Sequence, residues 1–108
     1  MLTALTIQDL AIVRHLDIEF QRGLTVLTGE TGAGKSILIG ALGLALGDRA
    51  DSSMVRGGCD KASVTATVDI STLTGLRQLF DEHDIDYQDD CILRRVVNAD
   101  GRSRAYCN

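Results

Sequence analysis

The chain has no tryptophan and no proline, and aromatic residues make up only 4% of its 108 positions, so its core must be assembled from Leu, Ile, Val and Ala. No apolar run reaches the roughly 18 residues that a membrane-crossing helix needs. The N-terminus lacks a basic segment followed by an apolar one, so no secretory leader is expected and a cytoplasmic location is. Cysteine is scarce and odd in number: Cys59, Cys91 and Cys107 are widely spaced, form no C-x-x-C pair, and have neither His15 nor His83 beside them. All three read as free thiols rather than as metal ligands or disulfide partners. Positive charge is also short, with 11 Lys and Arg against 15 Asp and Glu and a net charge of −4. A domain that grips nucleic acid through its overall field would be basic, so any such contact must be local or made elsewhere. No internal repeat or low-complexity segment interrupts a length that suits one small domain with one core.

What the chain does have is hydrophobic patterning. Residues Leu2 to Val13 are mostly apolar and β-prone, and Leu16, Ile18 and Phe20 alternate with Asp17 and Glu19 as in a half-buried strand. Gln21-Arg22-Gly23 reads as a turn and Leu24–Thr28 as a short apolar strand stopping at Gly29. Gly34 to Leu46 is expected to be a helix, with Ile37, Leu38, Ala41, Leu42, Ala45 and Leu46 covering nearly its whole circumference, as in a helix buried on most sides. Gly40 and Gly43, each costing roughly 1 kcal/mol of helix propensity, suggest close packing against a sheet, and Gly47 is placed to cap the end. After a polar connection from Asp48 to Asp60, Lys61–Ile70 alternates again. Leu73, Leu76, Leu79 and Phe80 follow at helical spacing. Ile92–Val97 and Arg104–Cys107 read as two arms of a hairpin around Asn98-Ala99-Asp100-Gly101.

The chemistry is concentrated in Gly29-Glu30-Thr31-Gly32-Ala33-Gly34-Lys35-Ser36, which fits G-x-x-x-x-G-K-[ST] without a mismatch. The glycines let the backbone turn tightly, so that successive N–H groups converge into an anion nest at the first turn of a helix. The helix end adds roughly half a positive charge. Lys35 is expected to reach the β- and γ-phosphates and stabilise their charge. The Ser36 hydroxyl is expected to be a ligand of Mg²⁺. Four fixed positions match by chance in roughly three or four chains of this length per thousand at average residue usage. The motif also follows an expected strand and opens an expected helix, as its mechanism requires.

Other residues sort the class of phosphate-binding protein. A GTPase would carry Asp-x-x-Gly and Asn-Lys-x-Asp, and neither occurs. Small nucleotide kinases place this loop a few residues from the start, whereas here two β-segments precede it, as in ATPases of the ABC type. Leu79-Phe80-Asp81-Glu82 imitates a Walker B end, but Arg77 and Gln78 break the apolar run and the spacing of Leu73, Leu76, Leu79 and Phe80 is helical, which assigns Asp81 and Glu82 to a solvated helix end. Arg94, Arg95, Arg102 and Arg104 gather on the hairpin. They read as a solvated edge balanced by Asp89, Asp90 and Asp100, with a DNA-facing patch as the alternative. His15 and His83 read as surface residues.

The opening Leu-x-x-Leu-x-Ile, the Gly-Glu-Thr-Gly-Ala-Gly-Lys-Ser-Ile-Leu-Ile loop, the Ala-Leu-Gly-Leu-Ala-Leu-Gly-Asp-Arg-Ala run, Val55-Arg56-Gly57-Gly58 and the closing Gly101-Arg102-Ser103-Arg104-Ala105-Tyr106-Cys107-Asn108 together resemble the RecN family of bacterial DNA repair proteins. The resemblance covers essentially the whole chain. It implies an α/β fold, the N-terminal lobe of a P-loop NTPase head of the ABC/SMC type, with an antiparallel β-meander beside the P-loop strand and helix. It implies ATP and Mg²⁺ bound at Gly29–Ser36, with Arg56 near the phosphates, in a nucleoid-associated ATPase acting in recombinational repair of double-strand breaks. The implied partners are the C-terminal half of the same head, a second head in a homodimer, and DNA through the complete protein, with no membrane. The family pattern puts the coiled coil, Q-loop, signature, Walker B and switch histidine beyond Asn108. Residues 1–108 are therefore expected to be one part of a head that binds nucleotide without turning it over. The rival readings are a self-standing nucleotide-binding module and a structural β-subdomain with an empty loop.

Overall fold

Alternating apolar residues in the first twenty positions form a hairpin of β1 (Leu2–Leu10) and β2 (Val13–Glu19), antiparallel with Leu5 opposite Ile18 and Ile7 opposite Leu16. The computed structural model describes residues 2–20, 32–71, 73–86 and 88–107, and for residues 32–36 the backbone alone. The expected turn at Gln21–Gly23 and strand at Leu24–Thr28 lie outside the described residues. The apolar stretch from Leu2 to Val13 is broken at Ala11-Ile12, where the chain reverses with Ala11 at φ 52° and Asp9 at φ 53°. Positive φ is costly for residues with a Cβ. A later segment holds both: the Ala11 N–H donates to the Met54 carbonyl, and the Asp9 carbonyl accepts from the Arg56 N–H, both at 2.8 Å.

Helix α1 (Gly32–Ala45) follows, and Gly47 at φ 110° ends it. The Gly47 N–H bonds the Leu44 carbonyl and the Asp48 N–H bonds the Gly43 carbonyl. This double bond pattern is the Schellman arrangement, and it satisfies carbonyls the helix leaves orphaned. A single 3₁₀ turn at Ser52–Met54 interrupts the polar connection, with the Asp51 side chain capping it through the Ser53 N–H. Then come β3 (Lys61–Asp69), α2 (Thr74–Glu82), β4 (Asp90–Asn98) and β5 (Ser103–Cys107). Gly101 at φ 95° and the Gly101 N–H bond to the Asn98 carbonyl close the last hairpin where its turn was expected.

The five strands form one antiparallel sheet in the order β2-β1-β3-β4-β5. Strand β3 does not extend the meander at its edge; it inserts centrally between β1 and β4. Its inward residues explain this position: Ala62, Val64 and Ala66 are all buried, against Leu5, Ile7 and Leu10 of β1 and Ala41 and Leu44 of α1. A second, smaller cluster joins Ile70, Phe80 of α2 and Cys91 of β4. The other sheet face carries hydroxyls along its middle: Thr6 stands opposite Thr65 and Ala4 opposite Thr67.

Two expectations for α1 need correction. The helix is not buried on most sides: Ala41 and Leu44 are buried, while Ile39 is 72% and Leu46 66% exposed. Among the described residues, the sheet covers one side of it. Nor do Gly40 and Gly43 make the close approach. A Cβ on Gly40 would meet nothing within 4 Å, and the nearest atoms to one on Gly43 belong to the Asp48 side chain. The small residues that let helix and sheet approach are alanines, Ala41 on α1 and Ala62 and Ala66 on β3.

Candidate nucleotide-binding site

The second half of the motif, Gly32 to Ser36, is the first turn of α1. The N–H groups of a helix's first turn have no intrahelical acceptor, so Gly32, Ala33, Gly34 and Lys35 present donors and the positive end of the helix dipole at the place where the motif requires them. Gly29, Glu30 and Thr31 lie outside the described residues, as do the side chains of Lys35 and Ser36. Gly32 and Gly34 carry no Cβ to obstruct an anion approaching the first turn.

Arg56 belongs to the segment that braces the β1–β2 turn, through its N–H bond to the Asp9 carbonyl. Two residues earlier, Met54 lines a cavity of about 150 Å³ together with Leu10, Ala11, Ile37, Gly40, Ala41 and Leu44. The segment carrying Arg56 is thereby packed along α1 from Ile37, the residue after the motif, to Leu44 near its C-terminal end. The cavity wall is apolar, which suits packing rather than phosphate recognition.

The hairpin arginines, a single group in sequence, are divided by strand alternation. Arg95 turns toward α1, its Nη1 donating to the Leu44 carbonyl at 3.4 Å and its Nη2 to the Ser103 hydroxyl at 3.1 Å, with Nε buried and unpartnered. Arg94 points the other way, its guanidinium 5.9 Å from the centre of the Tyr106 ring, a cation–π distance. Arg102 pairs with Asp100 at 3.8 Å, whereas Asp89 pairs with Arg77 at 3.5 Å rather than with the hairpin. Asp81 and Glu82 end α2 and so sit on a helix, not at the end of a buried strand. His15 and His83 are exposed, His15 bonded to Asp17 at 2.7 Å and His83 to the Leu79 carbonyl at 2.9 Å. The His15 hydrogen bond is the main cause holding the Asp17 carboxyl below its ordinary range.

Sequence spacing missed two contacts. Cys91 and Cys107, 16 residues apart, bring their sulfurs to 3.9 Å. Arg95 reaches the C-terminal end of α1. The hairpin register carries both: counting alternate residues back from the turn puts Cys91, Arg95 and Cys107 on one face. Among the described residues, no group of three or more His, Cys, Asp or Glu is arranged to hold a metal ion, and no helix is long and apolar enough to cross a membrane.

Comparison with known proteins agrees with this architecture. The AAA domain family matches residues 4–104. The DNA repair protein RecN of Haemophilus influenzae is 50% identical over 111 residues, covering all of this chain and 20% of the relative. The chain thus spans about a fifth of the length of the curated relatives it matches. The Smc head domain from Pyrococcus furiosus, solved with an extended coiled coil and bound to the C-terminal domain of ScpA, superimposes with a TM-score of 0.77 at 23% identity, covering 99% of this chain and 29% of that one. The recombination mediator RecF, solved with ATP, does so with a TM-score of 0.69 at 16% identity over 99% of this chain and 26% of that one. The fold is that of the N-terminal lobe of SMC- and RecF-type ATPase heads. The chain belongs to the AAA domain family, and along its whole length it is similar to the N-terminal fifth of RecN proteins.

Proposed function

We propose that residues 29–36 bind Mg²⁺-ATP, and that the chain is the nucleotide-binding N-terminal part of an ATPase head acting in recombinational repair of DNA double-strand breaks. The observation that carries this reading is a complete phosphate-loop motif whose second half is the first turn of α1. Backbone N–H groups from Gly32 onward hold the phosphates, Lys35 neutralises charge on the β- and γ-phosphates, and Ser36 supplies a Mg²⁺ ligand. Arg56 approaches the phosphates from the segment packed along α1. The open side of α1, with Ile39 and Leu46 exposed, supports a head completed by its C-terminal half. Hydrolysis then needs that completed head paired with a second one, and DNA is met through the whole protein.

Titration calorimetry tests the reading. Mg²⁺-ATP and ADP should bind and AMP at least about tenfold more weakly, since the nest recognises the β-phosphate and beyond. Lys35→Ala should remove most of the affinity. Equal binding of AMP and ATP would overturn the assignment, and no binding of any nucleotide would make this a structural subdomain with an empty loop.

A further inference from the structure

Two nucleophilic side chains outside the nucleotide site meet on the β4–β5 hairpin. The Cys91 and Cys107 sulfurs are 3.9 Å apart, close to van der Waals contact, with no residue between them. The register places Cys107 opposite Leu93, so Cys91 and Cys107 are diagonal neighbours on one face of the sheet. Their surroundings differ sharply. Cys91 is 3% exposed and packs with Ile70 and Phe80, whereas Cys107 is exposed on the edge strand. Burial, and secondly the neighbouring Cys107, push the Cys91 thiol up to about 11. One sulfur is therefore open to solutes and the other is a sheltered thiol in contact with it. An exposed attacking cysteine beside a resolving one is the arrangement of a peroxide-reactive pair.

We propose that Cys91 and Cys107 are a reversible thiol–disulfide site, oxidised by hydroperoxides and reduced by small thiols. The Cys107 thiolate attacks a peroxide oxygen and breaks the O–O bond, giving Cys107 sulfenic acid and, with hydrogen peroxide, hydroxide. The Cys91 sulfur then attacks the sulfenic sulfur, forming the S–S bond and expelling hydroxide. The proton lost from each thiol converts the two hydroxides to water. In total, two thiols and one hydrogen peroxide become one disulfide and two waters, with two electrons passing from sulfur to oxygen. Diagonal strand neighbours have Cα atoms roughly 7–8 Å apart, beyond the 5.5–6 Å or so that disulfides favour. Closing the bond draws the end of β5 toward β4, and a bond formed under such constraint is readily reduced again. Oxidation thus pins the short edge strand, and reduction releases it.

The test uses the complete chain, with Cys59 as the internal control. The protein is exposed to a small excess of hydrogen peroxide, alkylated, digested and examined by mass spectrometry. The expected product is an intrachain Cys91–Cys107 linkage, lighter by two hydrogens than the dithiol, with Cys59 still alkylated and the linkage reversed by dithiothreitol. Cys91→Ala should abolish the linkage and leave a Cys107 sulfenic acid that dimedone traps. Cys107→Ser, a change at an exposed position, should leave Cys91 unoxidised at the same dose. Cys91 oxidised equally fast in Cys107→Ser would overturn the proposal. So would a Cys107 sulfenic acid that persists beside an alkylatable Cys91, or a disulfide joining two chains.

Discussion

At Cys91 the surroundings, rather than the residue type, decide the chemistry. It belongs to an apolar cluster with Ile70 and Phe80, against which Val68, Leu76, Ile85 and Leu93 pack, and among the described residues the titratable group acting on it is Cys107. The thiol is pushed from an ordinary value of 9.0 to about 11, so the fold favours the protonated form. The stability this represents is fully present below about pH 9 and is lost as the pH rises through about 11. Urea titrations at pH 7 and pH 10.5 should show the reduced protein losing up to roughly 2 kcal/mol more than Cys91→Val. Equal losses in the two proteins would mean the thiol is better solvated than its burial indicates. Arg95 illustrates a second effect of position. Its neighbour Arg94 is a solvent-side cation, yet Arg95 is turned by strand alternation onto the Leu44 carbonyl, where it meets the negative end of α1.

Among the elements, α1 carries the greatest tension between sequence and setting. Its apolar residues surround the whole cylinder, but the sheet covers one side. Gly40 makes this measurable. It is exposed, and an added Cβ would touch nothing. Gly40→Ala in this chain should therefore raise stability by up to about 1 kcal/mol through helix propensity alone. In a complete head, if the proposed C-terminal half reaches the flank of α1 that carries Gly40, the same methyl should gain less or destabilise. Chemical denaturation of both forms checks it; an equal gain in both would mean that nothing packs against Gly40. The β1–β2 turn shows the opposite case, an element settled by a distant segment. Ala11 and Ile12 are poor turn residues, and their reversal is braced by the Ala11 N–H bond to the Met54 carbonyl and the Arg56 N–H bond to the Asp9 carbonyl.

The whole molecule is a slab of 41 × 34 × 17 Å, with a radius of gyration of 14.7 Å. A rounded domain of this length would have about 13 Å. One sheet with helices on one face is what those dimensions describe. Catalysis belongs to this scale, because phosphoryl transfer to water needs the phosphates held, Mg²⁺ held and the water positioned together. Of these, the chain carries the phosphate-loop motif and, as proposed, one Mg²⁺ ligand in Ser36. Asp81 and Glu82, the one pair resembling a Walker B end, finish a surface helix instead. Positioning and charge stabilisation supply nearly all the rate in this chemistry. A phosphate-release assay on residues 1–108 should read background, and adding the remaining head in trans should restore turnover. Robust turnover by the chain alone, abolished by Glu82→Ala, would overturn both the assignment of Asp81-Glu82 and the reading of the chain as part of a head.

Local signals in the sequence determined much of this protein. Alternation marked the described strands, three-and-four spacing marked both helices, Gly47 and Gly101 marked a cap and a turn, and eight consecutive residues spelled a phosphate-loop motif, of which Gly32–Ser36 form the first turn of α1. Each is legible because it depends on neighbours a few positions away, where backbone geometry is nearly independent of the rest of the chain. Sheet order was not legible, since alternation says which face a residue takes and not which strand lies beside it. The insertion of β3 between β1 and β4, the placing of Arg94 and Arg95 on opposite faces, the uncovered side of α1 and the meeting of Cys91 with Cys107 all follow from that order and its register. Those features were decided by packing between segments distant in sequence, where the burial of Ala62, Val64 and Ala66 outweighs any local preference.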